Sequence, residues 1–261
     1  MTTTKFTFTR VLFFSFFFLL AFSFCSKDEG KDPSPPPANG DNGSGGTENL
    51  TVTDREGNVY EAVQIGNQIW MAENLNVQEH TYGASTCPRV AGFTPSHILN
   101  YDIFCSMYGR LYSFHAIVDG ANLNIHYRVQ GLCPDGWYIP RDDDWLELEM
   151  FLGMSEEKAN KIAEERGTNE GRMLKSESLW HNNGKGTNDF GFNVLPGGSH
   201  LSIILPNNDF AKRSFFWTSR TSLDNAYSRS FSYDSDKIHR GISNQGLLQF
   251  LRCIKDPDDV E

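Results

Sequence analysis

Three observations predict an α+β domain. From Leu50 to Asp256 the chain has a globular composition over about 207 residues, after a preceding segment with almost no apolar side chains. That length suffices for one sizeable core, and no internal repeat divides it. Within it a few short strands come first, then two helices, then many short strands, so the two element types are segregated rather than alternating.

The elements follow in order. TVTDREGNVYEAVQIGNQIWMAENL reads as three strands, with turns at Glu56-Gly57-Asn58 and Gly66-Asn67. Residues 78–106 show neither helical nor strand period and are expected to form a long loop. GRLYSFHAIV, residues 109–118, reads as a further strand. In DDDWLELEMFLG the apolar Trp145, Leu148, Phe151 and Leu152 share one helical face, while Asp143, Asp144, Glu147 and Glu149 fall mostly elsewhere. A second helix is expected in MSEEKANKIAEERG, with Ser155 as N-cap, Glu156 and Glu157 at the positive end of the helix dipole, and Gly167 as the stop. After Gly171 the chain reads as strands and loops: NDFGFNVLPGG, RSFFWTSR, NAYSRSFSYDS, IHRGIS and LLQFLRCIKD.

The N-terminal segment belongs to export. MTTTKFTFTR is followed by the apolar run VLFFSFFFLLAFSF, residues 11–24, and then by Cys25. A charged opening before a short apolar run is the layout of an export signal, and the run is too short for a comfortable membrane span. Cys25 resembles the acylated cysteine of a bacterial lipoprotein, although Phe24 stands where such signals carry a small residue. SKDEGKD, just after it, resembles the charged export tag of Bacteroidetes surface lipoproteins. The expected organisation is therefore a signal over 1–24, an acylated Cys25 opening a Pro/Gly/Ser-rich tether over 25–49, one domain over 50–256 and a tail over 257–261. The expected location is the outer surface of the outer membrane.

With the signal set aside, 21 basic residues face 33 acidic ones, a net charge near −12. Phosphate binding needs a concentrated basic surface, so nucleic acid is excluded as an expected partner. Cys87, Cys105, Cys133 and Cys253 remain once Cys25 carries lipid. In an exported chain four cysteines point to a disulfide framework with three connectivities open. None stands in a C-x-x-C spacing, which argues against a zinc knuckle or a thioredoxin-type pair.

EGNVYEAVQIGNQIWMAENLN, YGRLYSF, CPDGWYIPRDDDW, NDFGFNVLPGG, FFWTSR and LRCIKD occur in this order. Together they resemble the Fibrobacter succinogenes major paralogous domain, over essentially all of 50–256. That resemblance implies a C-type-lectin-like fold, related also to the formylglycine-generating enzymes: two helices beside small twisted antiparallel sheets. It implies a Cys133–Cys253 bridge, which leaves Cys87 and Cys105 as the second pair. It implies no reaction. Where the family usually carries Thr and Glu as a capping box, this chain has Arg141 and Asp144, so Asp142 or Asp144 is expected to cap the helix instead.

Candidate chemistry is sparse. Asp142, Asp143 and Asp144 could be read as a calcium or acid–base cluster, but consecutive helical residues point about 100° apart and do not converge. The alternating ligands and glycine of an EF-hand loop are absent. His80, His97, His115, His126, His181, His200 and His239 form no i, i+4 pair and no HExxH motif. There is no G-x-S-x-G elbow, P-loop or dinucleotide fingerprint. A formylglycine-generating enzyme needs several reactive cysteines near the C-terminal end, and only Cys253 stands there. Two stretches offer ligand-binding side chains: Trp180 with Asn182 and Asn183, an aromatic beside amides that could stack on a sugar, and Asn207, Asn208 and Asp209 after Pro206, a faint echo of a lectin calcium loop. Trp70, Trp137, Trp145 and Trp217 are expected in the core.

The expected function is non-catalytic binding or adhesion outside the cell, with no cofactor and calcium unsupported. The membrane is a partner through the lipid, and a glycan or a cell-surface protein is the ligand. A structural component of the surface and a glycan hydrolase are the alternatives.

Overall fold

A carboxylate and two glycines shape the entry into the domain. Asp54 accepts hydrogen bonds from the backbone of Glu56 and Asn58, from Asn58 Nδ2 and from the Tyr60 hydroxyl, the last at 2.6 Å. Gly57 and Gly66 take the left-handed conformation, at φ +86° and +61°. The result is β1 (Thr51–Thr53), β2 (Val59–Ile65) and β3 (Gln68–Met71), in register as antiparallel neighbours. The computed structural model describes residues 50–89, 102–123, 127–201 and 209–259. The signal, Cys25 and the tether lie outside the described residues.

The remaining elements are β4 (Ser85–Thr86), α1 (Asp102–Tyr108), β5 (Leu111–Tyr112), α2 (Phe114–Val118), β6 (Trp137–Tyr138), α3 (Asp142–Phe151), α4 (Glu156–Ala159), β7 (Glu164–Arg166), α5 (Glu170–Leu174), β8 (Arg213–Ser222), β9 (Asn225–Ser232), β10 (Ile238–Asn244), β11 (Gln249–Phe250) and β12 (Ile254–Lys255). They form an α+β fold, mostly sheet with few and short helices. One sheet runs β1-β2-β3-β12-β6 and the other β4-β5-β11-β8-β9-β10-β7. Among the described residues the pairings between these strands are antiparallel except β11 on β8, where Phe250 faces Phe216.

Adjacent residues of a strand point to opposite faces, so β8 divides the interior in two. Phe216 packs with Trp70, Trp145, Phe192, Phe231 and Phe250 on one side. Trp217 packs with Tyr112, Phe114, Ile117, Ala226 and Ile139 on the other. Trp70, Trp137, Trp145 and Trp217 are all buried.

The C-terminal stretch joins the two sheets. β11 belongs to one and β12 to the other, with Leu251, Arg252 and Cys253 between them. Cys253 is bonded to Cys133 and Cys87 to Cys105. The first bridge spans a sequence separation of 120 residues. In the chain-entropy model a loop of that size contributes about 4–5 kcal/mol by restricting the unfolded chain. Arg252 is fully buried, its guanidinium donating to Asn74 Oδ1 and to the Phe192 carbonyl. Burial pulls its pKa down to about 9, with Glu73 opposing.

The structure departs from the sequence-based expectation at four places. Residues 109–118 are not one strand: after β5, the Ser113 hydroxyl accepts from the Ala116 amide and caps α2. The long loop over 78–106 contains β4 and α1, and residues 90–101 lie outside the described ones. The second helix stops after one turn at Ala159. Its expected C-terminal half is β7, which pairs with β10 so that Arg166 meets the buried Glu149, and that pairing overrides helix propensity. α5 occupies a segment expected to be loop and strand.

His200 is 1 % exposed and neither ring nitrogen is hydrogen-bonded among the described residues, while its backbone pairs with Leu248 on both sides. Burial, helped by Arg89, lowers its pKa to about 4. An unfolded histidine takes up a proton near pH 6.5, so the unfolded state binds more protons and stability falls as pH falls through 6.5. Between pH 7 and 5 His200 should contribute a loss of about 2 kcal/mol in urea melts, to which His239, its pKa also lowered by burial, adds. His200→Gln should remove most of that slope, and an unchanged slope would rule out this origin.

Candidate functional site

The three aspartates at the start of α3 take three different directions, as the helical turn per residue requires. Asp144 folds back: its Oδ2 accepts from the Arg141 backbone amide at 2.7 Å and its Oδ1 from Arg141 Nη2 at 2.7 Å. Arginine has no acceptor, so the forward half of a capping box is replaced here by this ion pair. Asp143 is exposed. Asp142 is buried among arginines.

Asp142 Oδ1 accepts from Arg229 Nη1 at 2.7 Å and from Arg240 Nε at 3.2 Å. Its Oδ2 accepts from Arg240 Nη2 and from Arg220 Nη1, the latter at 3.1 Å. One helical stretch later, Glu149 receives Arg166 through both oxygens at 2.8 Å and Arg229 Nε at 2.6 Å. Arg229 therefore bridges the two carboxylates, and Arg166, Arg229 and Glu149 have no exposed side-chain surface. Burial works to raise the Asp142 carboxyl, but Arg229 and Arg240 outweigh it and hold it below the usual carboxylate range. A group so placed is a fixed anion and a poor general acid.

The sequence pattern put Glu149 and Asp144 off the buried face, and both are buried. Their arginine partners were not singled out from the sequence. A usable signal was present: Arg229 lies two residues from both Tyr227 and Phe231, and Arg240 two residues from both Ile238 and Ile242, so each occupies the apolar phase of its strand.

The start of α3, with β6, β12 and β3, lines an open cleft of about 550 Å³. Its wall includes Gln68, Tyr138, Arg128, Arg141, Glu147 and Lys255. Gln68 Nε2 donates to the Asp144 carbonyl at 3.0 Å, which seats α3 on β3. Arg128 binds Asp256 at 2.7 Å and also reaches Asp258, with its guanidinium 5.4 Å from the centre of the Tyr138 ring. Gly136, at φ +74°, admits the residues after β12: a Cβ there would stand 1.9 Å from Asp259 Oδ2. Pro257 and Asp259, read from sequence as tail, thus line the cleft. Arg128, Arg141 and Lys255 share it with Asp144, Glu147, Asp256 and Asp259.

The sequence-derived ligand residues do not gather here. Trp180 is buried, its indole Nε1 donating to Ser176 Oγ at 3.1 Å and Lys175 Nζ lying 5.2 Å from its ring centre, so no free ring face is offered to a sugar. Asn182 and Asn183 are exposed in left-handed conformations. Asn207 and Asn208, with Pro206, lie outside the described residues. Asp209 is half-buried, and its carbonyl accepts from the Lys212 and Arg213 amides. Among the described residues no three His, Cys, Asp or Glu side chains gather as a metal-ligand set, and no helix is long and apolar enough to cross a membrane.

Asp142→Asn should cost about 3–5 kcal/mol, because it leaves buried guanidinium charge uncompensated. Asp143→Asn, on the exposed position between two buried ones, should change stability by less than about 0.5 kcal/mol. Chemical denaturation of both variants checks the contrast, and equal effects would contradict the network.

No curated protein and no solved structure matches the chain. The model of one family, the Fibrobacter succinogenes major domain, matches residues 63–255, from within β2 to the last strand and so across the ion network and most of both sheets and of the cleft lining. The chain belongs to the Fibrobacter succinogenes major domain family.

Proposed function

We propose that the chain is a surface lipoprotein of the outer membrane whose domain, of the C-type-lectin-like kind, binds an extracellular ligand without catalysis. A glycan is the favoured ligand and a cell-surface protein the alternate. The single observation that carries the binding reading is the open cleft of about 550 Å³, which is within the size range of ligand sites. Two of its cations are already held, Arg141 by Asp144 and Arg128 by Asp256 and Asp258. Groups fixed in this way favour recognition, since little ordering cost is left for binding. Proton transfer favours a carboxyl raised toward neutrality, and Asp142, the deepest of the aspartates, is driven the other way. Helix α3 beside two mostly antiparallel sheets is consistent with the C-type-lectin-like assignment.

The anchor reading is supported by the charged-then-apolar opening and Cys25. Cells fed labelled palmitate should incorporate it into the wild-type chain and not into Cys25→Ala, and equal labelling would overturn the assignment. For the domain, the full chain in detergent should retain a subset of a glycan array, and Arg128→Ala should weaken that binding about tenfold or more. The array is run with and without calcium. Silence on every glycan in both conditions would overturn the glycan reading.

A further inference from the structure

A second depression, of about 300 Å³, lies between the start of β2, the residues that follow β3, the C-terminal end of α1 and the segment around Asn193. Its polar wall includes Asn58, Asn74, Asn76, Asn193, Glu73 and Arg252. Two of these amides are committed to the fold. Asn58 Nδ2 donates to Asp54, and Asn74 donates to the Tyr108 carbonyl while accepting from Arg252.

The other two amides are not committed. Among the described residues Asn76 Oδ1 is buried and accepts no hydrogen bond, and the side chain of Asn193 makes none. A buried acceptor without a donor is a rare feature that calls for a partner. Arg252 lies beside them with five N–H groups, four of which go to Asn74, Phe192 and Asn193. Its partners are all neutral, and Glu73 stands on the same wall.

The wall is built to hold its shape. α1 ends at Gly109, where φ is +76° and a Cβ would lie 2.5 Å from Asn74 Cβ, so a side chain there would push the helix away. The Cys87–Cys105 bridge pins the same helix, and Cys105 itself lines the pocket.

We infer that this pocket seats one neutral sugar ring, an inference that rests on the reading of the domain as a glycan-binding module. Each sugar hydroxyl donates once and accepts up to twice, and side-chain amides supply both complements. An anionic ligand would meet Glu73, and a cationic one Arg252, so the wall suits a ligand without net charge. The volume, at the small end of ligand pockets, has room for one ring rather than a chain. The pocket becomes a terminal-residue subsite, separate from the cleft beside α3.

The test is nitrogen-edited NMR on the full chain in micelles, titrated with methyl glucoside, methyl galactoside and methyl mannoside. At least one should shift the Asn76 and Asn193 side-chain amide signals at millimolar concentration. Asn76→Ala and Asn193→Gly, the latter keeping the left-handed backbone, should each weaken that glycoside about tenfold. If the glycan array is positive but these signals stay still for all three sugars, the pocket holds only water and the assignment is overturned, with the binding reading intact. If the array is also silent, both fall. The wild-type titration requires no variant to fold.

Discussion

Arg229 is the residue on which the arrangement turns. Its guanidinium bridges Asp142 at the start of α3 and Glu149 near its end, and so fixes both the position and the rotation of the helix over the large sheet. Arg166 on β7, Arg220 on β8 and Arg240 on β10 complete the set from the neighbouring strands. Charges this deeply buried recover their lost hydration only when every oxygen is met by a donor, and here all four carboxylate oxygens are. A rotated helix would leave several groups unpaired at once. Trp145 is fixed by the same geometry, packed between Trp70, Phe192 and Phe216.

The consequence for function lies at the surface. Because α3 cannot rotate, Asp144 and Arg141 are presented at one edge of the cleft in a set orientation, and Gln68 ties that edge to β3. The opposite edge is held by Arg128 and the residues that follow β12. Leu251-Arg252-Cys253 ties the two sheets together with a disulfide and a buried cation. Rigid elements thus carry both depressions, the larger beside α3 and the smaller beside α1.

Much of the architecture could be read from the sequence: the first three strands, α3, the long strands of the large sheet and the placement of four tryptophans. These elements have strong local periodicity or unambiguous turns. The second helix failed because EEKANKIAEER is locally helical, whereas Arg166 gains a buried partner only as part of a strand. Residues 109–118 failed because an apolar run that short has no distinguishing period, and the Ser113 cap decides it. The arginines of the network were legible only as an oddity, charges in the apolar phase of a strand, and Trp180 was read as available when it is packed.

By itself, the sequence determined the α+β class and the family resemblance, because composition, turn residues and ordered motifs are local properties. Tertiary structure decided what the three aspartates do. One anion is neutralised by arginines 78 to 98 residues away, one closes a helix end and one faces water. Their side chains are identical, so only the partners that the fold brings to each direction around the helix can distinguish them.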